Sequence, residues 1–114
     1  MPRLEAMRLK ITTGERGLAE APEYAINGFE IEFDELAGGT GPGEVLEAAG
    51  YPQSFPHNLV LLGPKEGAWD VAGVEATYEC MGDEPYTVRL GAVTLDDASN
   101  LNLWYERPAK VIDV

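Results

Sequence analysis

Apolar and polar residues alternate with a period of two along much of this chain. That period restricts it to β-strands with one face in a core and one in water. Met7, Leu9 and Ile11 alternate with Arg8, Lys10 and Thr12. Phe29, Ile31 and Phe33 alternate with Glu30, Glu32 and Asp34. Val74, Ala76, Tyr78 and Cys80 alternate with Glu75, Thr77 and Glu79, and Leu101, Leu103 and Tyr105 with Asn102, Trp104 and Glu106. The run Asn58 to Leu62 is apolar on both phases and reads as an interior strand.

Turn signals fit the same scheme. Asn27-Gly28 sits between Tyr24–Ile26 and Phe29–Phe33, a two-residue hairpin signal because both positions want positive φ. Gly82 and Pro85 break the chain between two longer strands, and Asp96 to Ser99 form a further hairpin turn. Gly91 interrupts Tyr86–Leu95 and predicts a bulge. One segment, GPGEVLEAAG, reads as a helix of two turns, with Pro42 near its start, Glu44 in its first turn and Gly50 as its stop. The Gly-rich LAGGTGPG before it reads as a mobile insert. The expectation is one domain over residues 1–114, mainly β: an antiparallel β-sandwich or barrel of about eight or nine strands with one short helix. Arg8 and Lys10 are expected to complement Glu30 and Glu32 across strands, and Arg89 and Thr87 to face Thr77 and Glu79 respectively.

The charge balance narrows the function classes. Twenty acidic residues stand against eight basic ones, a net charge of −12. Phosphate backbones and anionic membranes repel such a chain, so direct nucleic-acid or membrane binding is not expected. No apolar run approaches the length of a membrane span and the start lacks a signal-peptide core. One cysteine forbids an internal disulfide, and a soluble, cytoplasmic protein is expected.

The stretch SFPHNLVLLGP holds the only histidine, His57. Pro56-His57-Asn58 followed by apolar residues resembles the segment around the first copper-binding histidine of cupredoxins. That resemblance implies a related β-sandwich with His57 as a ligand, and a late loop supplying a cysteine, a second histidine and usually a methionine. A blue-copper centre needs two imidazoles and a thiolate. This chain has one histidine, and Cys80 precedes Met81, a turn and a long strand, so the full ligand set is absent. His57 is kept as a candidate for a metal-dependent domain, against the plainer reading of a strand-entry residue. No cofactor is expected.

Other motifs read as structure. Cys80 lies on an apolar phase with acids nearby, which raise a thiol pKa and do not activate it. GGTGPGE has no lysine where a phosphate loop needs one. Asp96, Asp97, Ser99, Asn100 and Asn102 offer oxygens, but Leu101 and Arg107 stand where an EF-hand needs Gly and Glu. The expected function is that of a small acidic, non-catalytic binding or accessory protein acting through protein–protein contact. Its partner would be a basic protein or a second copy. The candidate contact residues are the ladder Glu30, Glu32 and Asp34, with the outward-phase Trp104 as an aromatic anchor. Alternatives are a cupredoxin-like or metal-dependent domain using His57, and an acidic inhibitor, nucleic-acid mimic or structural virion or shell component.

Overall fold

A computed structural model of the chain describes residues 3–18, 21–54, 58–82 and 84–103. They form ten strands: β1 Leu4–Thr13, β2 Glu23–Ile26, β3 Phe29–Glu32, β4 Glu35–Gly38, β5 Val45–Gly50, β6 Leu59–Leu62, β7 Trp69–Cys80, β8 Tyr86–Leu90, β9 Val93–Leu95 and β10 Asn100–Asn102. All pairings are antiparallel. The first sheet runs β4-β5-β1-β7-β8, with β9 following β8 along the same side of β7. The second runs β10-β6-β2-β3. Among the described residues both sheets have open edges, so the fold is a sandwich and not a closed barrel. No described helix is long and apolar enough to cross a membrane.

The core lies between the sheets. Leu4, Met7, Leu9, Ile11, Val71, Val74, Ala76 and Tyr78 from β1 and β7 meet Tyr24, Ile26, Leu59 and Leu61 from β2 and β6. The central strands do not keep a strict alternation. Leu4 and Met7 are three apart, as are Val71 and Val74, yet all four are buried. A bulge resolves each case. The β1–β7 register shifts between Leu4 and Ala6, and again between Thr12 and Thr13, where Ala72 is the extra residue on β7. One inserted residue flips the phase and bends the strand. The break at Gly91 lies opposite this second shift: β8 ends at Leu90 and β9 starts at Val93 without any change of register against β7. The interruption read from Gly91 is real, but the extra residue belongs to β7.

Three expectations are corrected. Residues 41–50 are not helical: Val45–Gly50 form β5, with Leu46 and Ala48 buried and Val45 and Glu47 exposed. Ala, Leu and Glu favour helix intrinsically, but pairing with β1 and β4 on both sides overrides that preference. The Asp96–Ser99 turn is not a hairpin, because β9 belongs to the first sheet and β10 to the second. The Gly-rich insert is held by hydrogen bonds. Gly43 N–H donates to the carbonyls of Thr13 and Gly14, and Thr40 Oγ1 donates to Leu18 O.

Candidate functional site

Asn27 and Gly28 have φ of 51° and 87°, the left-handed pair that a tight β2–β3 hairpin requires. Counting outward from that turn pairs Ile26 with Phe29, Ala25 with Glu30, Tyr24 with Ile31, and Glu23 with Glu32. Glu23, Glu30 and Glu32 therefore share the outer face of the second sheet. Glu23 and Glu32 stand directly opposite, an arrangement that costs stability. Among the described residues, strand positions on the outer face of this sheet include no lysine or arginine. The centre of this face is closed, since Ala25 and Val60 are buried, so its exposed acids line the β3 margin. Among the described strands β3 is an edge strand of this sheet, as β10 is at the other end. Phe29, on the core phase opposite Ile26, is nonetheless 71% exposed.

The chain leaves β3 through Phe33, which is buried and tilted against Tyr24 at 4.9 Å. Asp34 consequently departs from the predicted ladder. Its backbone N–H donates to Ala49 O at 2.9 Å, and its carboxylate accepts from Tyr51 N–H at 2.9 Å. Asp34 pins the crossing from one sheet to the other. Burial, then the Asp34 charge, raises the Tyr24 phenol pKa. Trp104 and His57 lie outside the described residues.

The outer face of the first sheet is built differently. Arg8 and Lys10 do not meet Glu30 and Glu32, which belong to the other sheet. Lys10 stands between Glu47 on β5 and Glu75 on β7, and Glu75 faces Arg89 on β8 at 3.7 Å. Arg8 Nε donates to Glu79 at 2.9 Å, and its guanidinium lies 5.9 Å from the Tyr51 ring centroid. The β7–β8 register lies two residues from the expected one: Thr77 faces Thr87, with a 2.8 Å hydrogen bond between them, and Arg89 faces Glu75 and not Thr77. A shallow open trough of about 360 Å³ crosses this face, with Arg8, Lys10, Glu35, Glu47 and Glu75 in its lining.

Groups that suggested chemistry have structural partners. Gly41 N–H donates to Glu44 Oε1 at 2.7 Å, and a Cβ at Gly41 would collide with that carboxylate. The glycine-rich nest thus holds an anion of its own. Asp96 Oδ1 accepts from Ser99 Oγ at 2.6 Å and Ala98 N–H at 2.9 Å, a closed turn motif. Those bonds lower its pKa. Cys80 is buried. Asp70 accepts from Arg16 Nε and Nη2 at 2.9 and 3.0 Å and from Thr94 Oγ1 at 2.8 Å. Trp69 is fully buried, its Nε1–H donating to Thr13 Oγ1 at 3.0 Å. Among the described residues no group of three or more His, Cys, Asp or Glu is placed to hold a metal ion.

Two residues of the acidic margin escape a reading by alternation alone. Glu23 joins it because the hairpin register, countable from Asn27-Gly28, sets it against Glu32. Phe29 reads as core by phase, and only the edge position of β3 exposes it. No known protein family, curated protein or solved structure matches the chain.

Proposed function

We propose that the chain is a non-catalytic, cytoplasmic binding protein that docks a basic protein partner along the acidic β3 margin of its second sheet. The observation carrying this reading is the separation of charge. Cations offset acids on the first sheet, whereas Glu23, Glu30 and Glu32 project without a basic strand neighbour. Complementary charge steers a basic partner to such a margin, and Phe29 supplies apolar contact once it arrives. A second copy suits the margin poorly, because acids would meet acids.

The test is capture from native lysate on immobilised chain at about 50 and about 500 mM salt, since exposed charges are screened over that range. The unmodified chain and a Glu30→Gln/Glu32→Gln variant are run side by side. A basic protein retained at low salt, released at high salt and missed by the variant supports the proposal. A partner held equally by both chains removes it.

A further inference from the structure

The β3 hairpin fixes where its main-chain groups point. A two-residue turn makes Ile26 and Phe29 the hydrogen-bonded closing pair, and bonded pairs then alternate along the ladder. Phe29 and Ile31 therefore spend their N–H and C=O groups on β2. Those of Glu30 and Glu32 point to the open edge, where no described strand pairs with β3. The two residues with outward main-chain groups are also the two with carboxylates on the outer face. Phe29 and Ile31 alternate with them on the core phase, Phe29 exposed and Ile31 half-buried.

We propose that this edge takes an extended segment of a basic partner as an added antiparallel strand. It would read Lys or Arg opposite Glu30 and Glu32, and apolar residues opposite Phe29 and Ile31. The proposal rests on the acidic-margin reading above and adds the manner of holding. Directly opposed strand residues share a face, so each bonded pair also sets a cation against a carboxylate. Antiparallel pairing matches every ladder among the described residues. The same geometry argues against a second copy, because β3 against β3 would align glutamates on both strands. The charge of the edge thus selects the occupant.

The probe is the peptide acetyl-Lys-Val-Lys-Val-Lys-amide, titrated against the whole chain with residue-resolved amide exchange as readout. The Glu30 and Glu32 amides exchange fast in the free chain and are protected by the peptide, while the Phe29 and Ile31 amides are slow throughout. Methylating the lysine amide nitrogens removes the donors aimed at β3 and weakens binding about tenfold or more. Methylating the valine nitrogens, which point away, leaves it within about threefold. On the protein side, Glu30→Pro removes both the outward N–H and the Glu30 carboxylate at an edge position that tolerates proline, and abolishes the protection at Glu32, whereas Glu30→Gln, which keeps the N–H, only weakens it.

Equal binding by both methylated peptides, still weakened by salt and by Glu30→Gln/Glu32→Gln, overturns strand addition and leaves the acidic margin standing. Discrimination between the methylated peptides with no effect of Glu30→Gln/Glu32→Gln overturns the acidic reading and, with it, the basic occupant. Absence of binding by the unmethylated peptide overturns the proposal. So does self-association that protects the same two amides, which would seat a second copy on the edge.

Discussion

The outer faces of the two sheets use charge in opposite ways. On the first, Arg8, Lys10 and Arg89 interleave with Glu47, Glu75 and Glu79, so each cation has an acid beside or across from it. On the second, Glu23 opposes Glu32 and Glu30 flanks them, with no basic strand residue among the described residues to offset them. A surplus of acids serving solubility alone needs no such division. Placing like charges opposite one another sacrifices stability on one face, while the neighbouring sheet shows that the chain can avoid it. The proposed contact on β3 draws its support from this difference rather than from the net charge.

The sharpest way to break this comparison is a matched charge reversal on the two open edges. Glu30 on β3 and Glu35 on β4 are both exposed, both on edge strands, and one belongs to each sheet. Glu30→Lys is expected to weaken binding of the basic probe peptide by about tenfold or more, through loss of attraction and new repulsion. Glu35→Lys makes the same change in net charge and is expected to cost less than about threefold. Fluorescence anisotropy titrations at one salt concentration read both. Equal losses would mean that total charge, not its placement, governs association.

Much of this architecture was legible in the chain. The hairpin at Asn27-Gly28 and the interior strand at Leu59–Leu62 follow from short-range pattern and turn chemistry. What failed depends on partners distant in sequence. VLEAA alternates only weakly, and its helix-favouring composition dominates until β1 and β4 flank it. Sheet membership was equally hidden, since nothing local shows that β3 and β1 fall in different sheets or that Asp96–Ser99 links two of them. The alternation read from Met7 and from Val74 onward misses the slips in phase at Leu4–Met7 and Val71–Val74, and the one bulge it predicts is at Gly91. Among the proposed contact residues, Glu30 and Glu32 lie where their alternation places them. Asp34 does not, because the bend at Phe33 is a tertiary event driven by burying that ring against Tyr24.

The stability of the two faces should respond to charge reversal with opposite signs. Lys10→Glu would place a third carboxylate between Glu47 and Glu75 and is expected to destabilise the fold by about 1 kcal/mol. Glu32→Lys replaces an opposed pair of acids by an acid facing a cation, and is expected to stabilise it by about 0.5 kcal/mol. Urea denaturation midpoints at low salt distinguish them. If Glu32→Lys also lowers the midpoint, the claim that the second face bears unrelieved repulsion is wrong.

A smaller effect tests whether compensation on the first sheet extends to its β7–β9 margin. There Asp70 accepts from the Arg16 guanidinium, Thr94 and the Arg16 backbone, and its pKa falls to about 2 from an ordinary 3.8. The Arg16 hydrogen bond is the largest cause, followed by that from Thr94. A carboxyl more acidic in the folded state than in the unfolded one stabilises the fold above its unfolded pKa, where both states are ionised. As pH drops from about 3.8 toward about 2, the unfolded chain takes up the proton first and this contribution disappears. Asp70→Asn removes the titration, so the variant should melt below the unmodified chain at neutral pH. The gap should hold steady above the ordinary carboxylate range and narrow across the acid interval. The effect is modest because the Arg16 side chain is 61% exposed and solvent screens the pair. Melting curves that stay a constant distance apart from neutral pH down to pH 2 would show that Arg16 and Asp70 are in contact without stabilising the charged form. The first sheet's margin would then be no better compensated than β3.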